Sequence, residues 1–137
     1  MRDVMFAAAV ALLAEAVFAQ ATPVGTWKTI DDATKKEKSL VRITDNAGVY
    51  IGKIEKLLDP TAKQDAVCDK CTDERKDKPI LGMTIITGVK QSASAADIWD
   101  GGHILDPNDG KVYKVRLSPA DGGKKLDVRG YIGMPML

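Results

Sequence analysis

The chain has 137 residues, 28% of them charged and 45% apolar, with a formal net charge of +1. That composition excludes a wholly disordered chain and a multi-span membrane protein; the charge balance excludes the electrostatic footprint of a nucleic-acid binder. One histidine and two cysteines leave little material for a metal centre or a histidine-based active site, so no catalytic residue, metal or cofactor is expected.

Met1-Arg2-Asp3 precedes an apolar run from Val4 to Ala14. The run is about half the ~20 residues that a membrane-spanning helix needs. Val17-Phe18-Ala19 and Ala19-Gln20-Ala21 both fit small-x-small cleavage, so residues 1–19 are expected to be a signal peptide. Its removal leaves about 118 residues, enough for one hydrophobic core and too few for two. The expectation is an exported, periplasmic protein of a Gram-negative bacterium, with one domain over 24–137 and no integral membrane span after cleavage.

From there the pattern is strands and turns. Val24–Ile30 reads as a first strand. Ser39–Thr44 alternates Val41 and Ile43 with Arg42 and Thr44, the period of a half-buried strand. Asp45-Asn46-Ala47-Gly48 is a turn cluster, and Val49–Lys56 returns to complete a hairpin. Gly82–Val89 is the next strand. Gly101-Gly102, between Ile98-Trp99 and His103–Leu105, predicts a bulge or bend. Asp106–Gly110 is a strong turn. Lys111–Leu117 puts Tyr113, Val115 and Leu117 on one face. After Asp121-Gly122-Gly123, Lys125–Ile132 puts Leu126, Val128 and Ile132 inward, and Asp127, Arg129 and Tyr131 outward. Seven or so short strands joined by tight turns predict an all-β antiparallel meander, barrel or sandwich. Its interior would be lined by Ile43, Ile54, Ile85, Val115 and Val128, with Trp27 as an end plug and Trp99 as the other indole.

Residues 57–79 form a long charged segment that contains Cys68-Asp69-Lys70-Cys71. Loops of this length in compact domains are functional or disordered. Three chemistries fit the cysteines. A disulfide staple suits an oxidising compartment. A redox pair would need a helix N-terminus to lower a thiol pKa, and no helical pattern flanks it. Zinc needs four ligands, and His103 alone could add a nitrogen unless a second copy shared the site. His103 beside two glycines reads as a strand or rim residue. Asp106–Gly110 lacks the acidic twelfth-position ligand of a calcium loop, since Leu117 stands there. Arg42, Lys53, Lys114, Arg116 and Arg129 read as a solvated outer face with ion pairs; the alternative is a basic mouth for a carboxylate-bearing ligand.

The matching stretches Gly25–Asp32, Gly52-Lys53-Ile54, Cys68–Cys71, Lys78–Ile85, Trp99–Pro107 and Leu126–Gly133 together make the chain resemble one bacterial family, the exported domain of unknown function numbered twenty-one forty-seven. Gly25-x-Trp27 also resembles the start of the first strand in lipocalins and related calycins. The resemblance implies a small calycin/lipocalin-like barrel with no established reaction. Family members continue with a short strand ending in Trp and Arg, whereas this sequence reads Gly133-Met134-Pro135-Met136-Leu137; the expectation is a barrel incompletely closed at that edge.

The function expected is a non-catalytic binding module whose barrel takes a small apolar or amphipathic ligand. The alternative is an envelope structural or interaction protein, with an envelope protein as partner, acting through the charged loop or an open strand edge. Redox use of Cys68 and Cys71 is the main enzymatic alternative.

Overall fold

The computed structural model describes residues 21–31 and 33–132; the expected signal peptide and the five C-terminal residues lie outside them. Seven strands follow in chain order: β1 (Gly25–Ile30), β2 (Glu37–Asn46), β3 (Val49–Leu57), β4 (Thr84–Gln91), β5 (Trp99–Asp106), β6 (Lys111–Ala120) and β7 (Lys125–Tyr131). Each pairs antiparallel with the next, in one sheet whose spatial order is the chain order. The sheet curls into a nearly closed barrel with one unsealed seam, between β1 and β7.

Alternation explains the inner wall. On β3, Tyr50, Gly52 and Ile54 share rungs with Asp45, Ile43 and Val41 on β2, and Tyr50, Ile54, Ile43 and Val41 are all buried. Gly52 sits on a rung with Ile86 of β4, which shares one with Ile104 of β5. Val115 and Leu117 of β6 face Gly102 and Trp99 and are fully buried. Each large aliphatic side chain removed from water in this way contributes about 1.5–3 kcal/mol before entropy is subtracted.

Several boundaries differ from the sequence expectation. The second strand extends to Glu37 and Asn46, and the fourth runs from Thr84 to Gln91. The Gly101-Gly102 break is a bulge inside one continuous strand, marked by a register shift between Trp99 and Gly102. Gly102 has a steric reason: a Cβ there would lie 2.1 Å from the Thr87 carbonyl oxygen on the neighbouring strand. The sixth strand continues through Ser118-Pro119 to Ala120, paired along β7. Ile132, expected inward, is 85% exposed, because β7 ends at Tyr131 and no described residue covers the next one.

The long loop is ordered by its own bonds. Val67 and Pro79 make an antiparallel bridge. The Cys68 amide donates to the Lys78 carbonyl (2.9 Å), and the Asp77 and Ile80 amides donate back to Cys68 and Ala66 (2.8 and 3.0 Å). The loop also covers the outside of the barrel. Leu105 follows inward-facing Ile104 and so points outward, yet it is only 1% exposed. The cover is the cysteine turn: Cys68 Sγ lies 4.0 Å from the Pro107 carbonyl, and Gly110 backs directly onto Lys70.

Candidate functional site

A cavity of about 1610 Å³ opens along the seam. On β1, Gly25, Trp27 and Thr29 share rungs with Ile43, Val41 and Ser39, so these three look into the barrel. Trp27 is half-buried, and its indole Nε1 donates to the Pro23 carbonyl at 2.7 Å, which fixes the ring against the wall. Thr29 and Ser39 hydroxyls bond to one another at 2.8 Å. The opposite wall comes from β7, where Leu126 and Val128 share rungs with Pro119 and Leu117. Val41, Ile43, Ile86 and Ile104 form the floor.

Cations collect at the mouth. Lys28, Lys124, Lys125 and Arg129 border the cavity, with Asp127 among them. Lys28 is bridged to Glu37 at 2.9 Å. Of the five strand cations considered in the sequence, Arg129 alone reaches this mouth. Arg42 pairs instead with Glu55 at 2.8 Å on the solvated outer face.

The residues expected to line the interior divide into two groups. Trp27, Ile43, Ile85 and Val128 border the cavity. Ile54, Trp99 and Val115 are buried but do not border it. Val128 is on the inner face by its rung with Leu117, yet 48% exposed, because the seam leaves that flank of β7 uncovered. The two indoles differ in burial. Trp99 is the fully buried indole, packed edge-on to Tyr50 at 6.2 Å and 70°, whereas Trp27, on an edge strand, forms a wall of the open side. Leu126, expected inward, also borders the cavity, and Val41, Ile86 and Ile104 join it although the expected lining did not include them. Alternation offers Val41 and Leu126; Ile86 follows Ile85, and strict alternation admits only one of them, whereas the register shift opposite Gly52 and Lys53 lets both border the cavity.

Cys68 and Cys71 are joined by a disulfide, and both residues are buried. Sulfurs bonded to one another cannot serve as zinc thiolates, and a reactive thiol is partly exposed, whereas both of these are buried. Among the described residues no three His, Cys, Asp or Glu side chains group as a metal site. His103 lies exposed on the outer face, on rungs with Thr87 and Lys114. The Asp106–Gly110 carboxylates are spent on the turn itself. Asp106 accepts from the Asn108 amide (2.9 Å), and Asp109 accepts from the Lys111 amide (2.8 Å) and the Tyr113 hydroxyl (2.8 Å). Those bonds hold Asp109 below its usual pKa, led by the Lys111 amide, and the Asp109 carboxylate raises that of Tyr113. No helix among the described residues is long and apolar enough to cross a membrane.

Residues 25–137 match the family model described as an uncharacterized protein conserved in bacteria (DUF2147). Among solved structures, the chain is similar to protein HP1028 from the human pathogen Helicobacter pylori, described as belonging to the lipocalin family. The TM-score is 0.65 at 16% identity, over 80% of this chain and 71% of that one. At that identity the likeness establishes the fold, a lipocalin-like barrel. No curated protein matches the chain.

Proposed function

The chain belongs to this bacterial family, and on that premise we propose that it is an exported, non-catalytic binding module for a small apolar or amphipathic molecule. The observation that carries the reading is the cavity: an opening of about 1610 Å³ between Trp27 and Val128, floored by Val41, Ile43, Ile86 and Ile104. Ligand sites are apolar concavities with a few polar groups at the rim, and the lysines at this mouth supply such a rim. The disulfide supports an oxidising compartment, in keeping with the leader-like segment ahead of the domain.

The test is titration with N-phenyl-1-naphthylamine, a neutral apolar fluorophore. Saturable 1:1 enhancement is expected, with energy transfer from tryptophan that falls in Trp27→Phe, Trp99 remaining as the second donor, while binding persists. Non-saturating enhancement, or equal binding by a Val41→Asp/Ile43→Asp variant shown to be folded, would overturn the reading. For export, N-terminal sequencing of protein from the periplasmic fraction should begin after Ala19 or Ala21; a start at Met1 removes that part.

A second reading, an envelope interaction protein acting through a strand edge, is favoured by one observation. Among the described residues neither β1 nor β7 has a strand on its outer side.

A further inference from the structure

We infer that the seam is a receptor for one extended peptide strand of another protein, running antiparallel to both β1 and β7. This deepens the second reading above and rests on it; it does not require that the cavity hold a small molecule.

Direction comes first. Six successive antiparallel pairings separate β1 from β7, so the two edge strands run the same way. Their starts meet at one end of the barrel: a Cβ placed on Gly123, just before β7, would lie 3.3 Å from the Cβ of Ala21, just before β1. Two antiparallel neighbours could close by pairing with each other across a tight register. Two parallel ones are joined best by a single inserted strand of opposite direction, which makes two antiparallel ladders and leaves no edge. The edges are six and seven residues long, which sets the length of the guest at about six.

Side-chain chemistry comes second. Inward positions of a strand in the seam would face Trp27, Leu126 and Val128, and so would be apolar. Outward positions would lie between the outer faces of β1 and β7, which carry Lys28, Lys125 and Arg129 against Asp127. Lys28 is already bridged to Glu37, and Lys124 adds a further cation beside Lys125. Lys124 and Lys125 together outnumber Asp127 at this border, so the complementary guest alternates apolar and acidic residues. Recognition would be by main-chain hydrogen bonds for affinity and by alternate side chains for selection.

The experiment uses the whole folded protein and a capped heptapeptide of alternating glutamate and valine, fluorescein-labelled, with binding read by anisotropy. Saturable 1:1 binding is expected. N-methylation of alternate amides, which removes donors to one edge and leaves the side chains intact, should weaken it by about tenfold or more. Replacing the glutamates by lysines should weaken it about as much at low salt. A nitroxide on the peptide N-terminus should broaden amide resonances near Ile30 and Tyr131, not those near Thr26 and Lys125. The inference is overturned by any of four results: no saturation up to about 1 mM, equal binding of the N-methylated peptide, broadening at the opposite ends, or edge-to-edge dimers of the protein that the peptide does not dissociate. Peptide failure with fluorophore binding intact removes this inference alone; fluorophore failure with peptide binding intact removes the small-molecule reading alone.

Discussion

The two flanks of this barrel solve the same problem in opposite ways. On the flank under residues 57–79, outward-pointing Leu105 is sealed by a loop that is cross-bonded, stapled and seated on Gly110. On the seam flank, inward-pointing Val128 stays half exposed, because among the described residues its strand has a neighbour on one side only. Burial therefore follows from what covers a strand, not from which face a residue occupies. In this chain a sealed outer face supports the structure, and an unsealed inner face borders the cavity proposed as the binding site.

One rung carries the contrast most directly. Leu117 and Val128 face each other across β6 and β7, yet Leu117 is fully buried and Val128 is not. Leu117→Ala should cost about 2–5 kcal/mol in urea unfolding, and Val128→Ala under about 1 kcal/mol. Equal costs would mean that the seam is closed in solution. Second in size is Gly110→Ala. Gly110 has φ +73°, and a Cβ there would lie 1.9 Å from the Lys70 carbonyl oxygen. The added methyl should push the cysteine turn off the barrel at a cost of about 2–3 kcal/mol, with rapid hydrogen exchange at Cys68, Asp77 and Ile80. Fluorophore uptake at the seam should not change; if it does, the two flanks are coupled.

The alternation of Val41-Ile43, Tyr50-Ile54 and Val115-Leu117 made the strands legible, because a pleated strand with one buried face must repeat every two residues. Covering was not legible. Leu105 looks like any alternating residue until a segment some thirty positions earlier in the chain is laid over it. Val128 was placed on the correct face, but the exposure of that face depends on β1 and β7 failing to meet. The choice between Trp27 and Trp99 as the buried indole turns on the same fact: Trp27 is on an edge strand, and Trp99 is in the middle of the sheet. The cysteine pair was readable as a staple from composition and compartment, but not its seat against Gly110.

Removing the staple should have a smaller effect than removing its seat. A disulfide that closes so short a loop restricts the unfolded chain by about 2 kcal/mol at most. Cys68→Ala/Cys71→Ala should lower stability by that much or less, with faster exchange confined to the loop. Loss of the whole fold would show that the loop is part of the barrel's cooperative unit.

The smallest effect expected is a pH dependence on the sealed flank. The side chain and the backbone amide of Arg75 both donate to Asp73, and these bonds, the side-chain ones first, hold its carboxyl below the usual 3.8. Arg75 also donates to the Thr84 carbonyl at 3.0 Å, which ties the loop to the start of β4. Unfolding returns Asp73 towards its ordinary pKa, so the folded state favours the ionised form. That stabilisation is complete above the unfolded value and is lost as pH falls through the lower, folded one. The pair is partly exposed, so the gain is under about 1 kcal/mol. Asp73→Asn should therefore narrow its stability gap to the parent as pH drops below about 4, with loop exchange following the same curve. A gap that stays constant through that range would mean that Asp73 holds the loop by hydrogen bonds that the neutral amide also makes, and that its charge adds nothing to the seal.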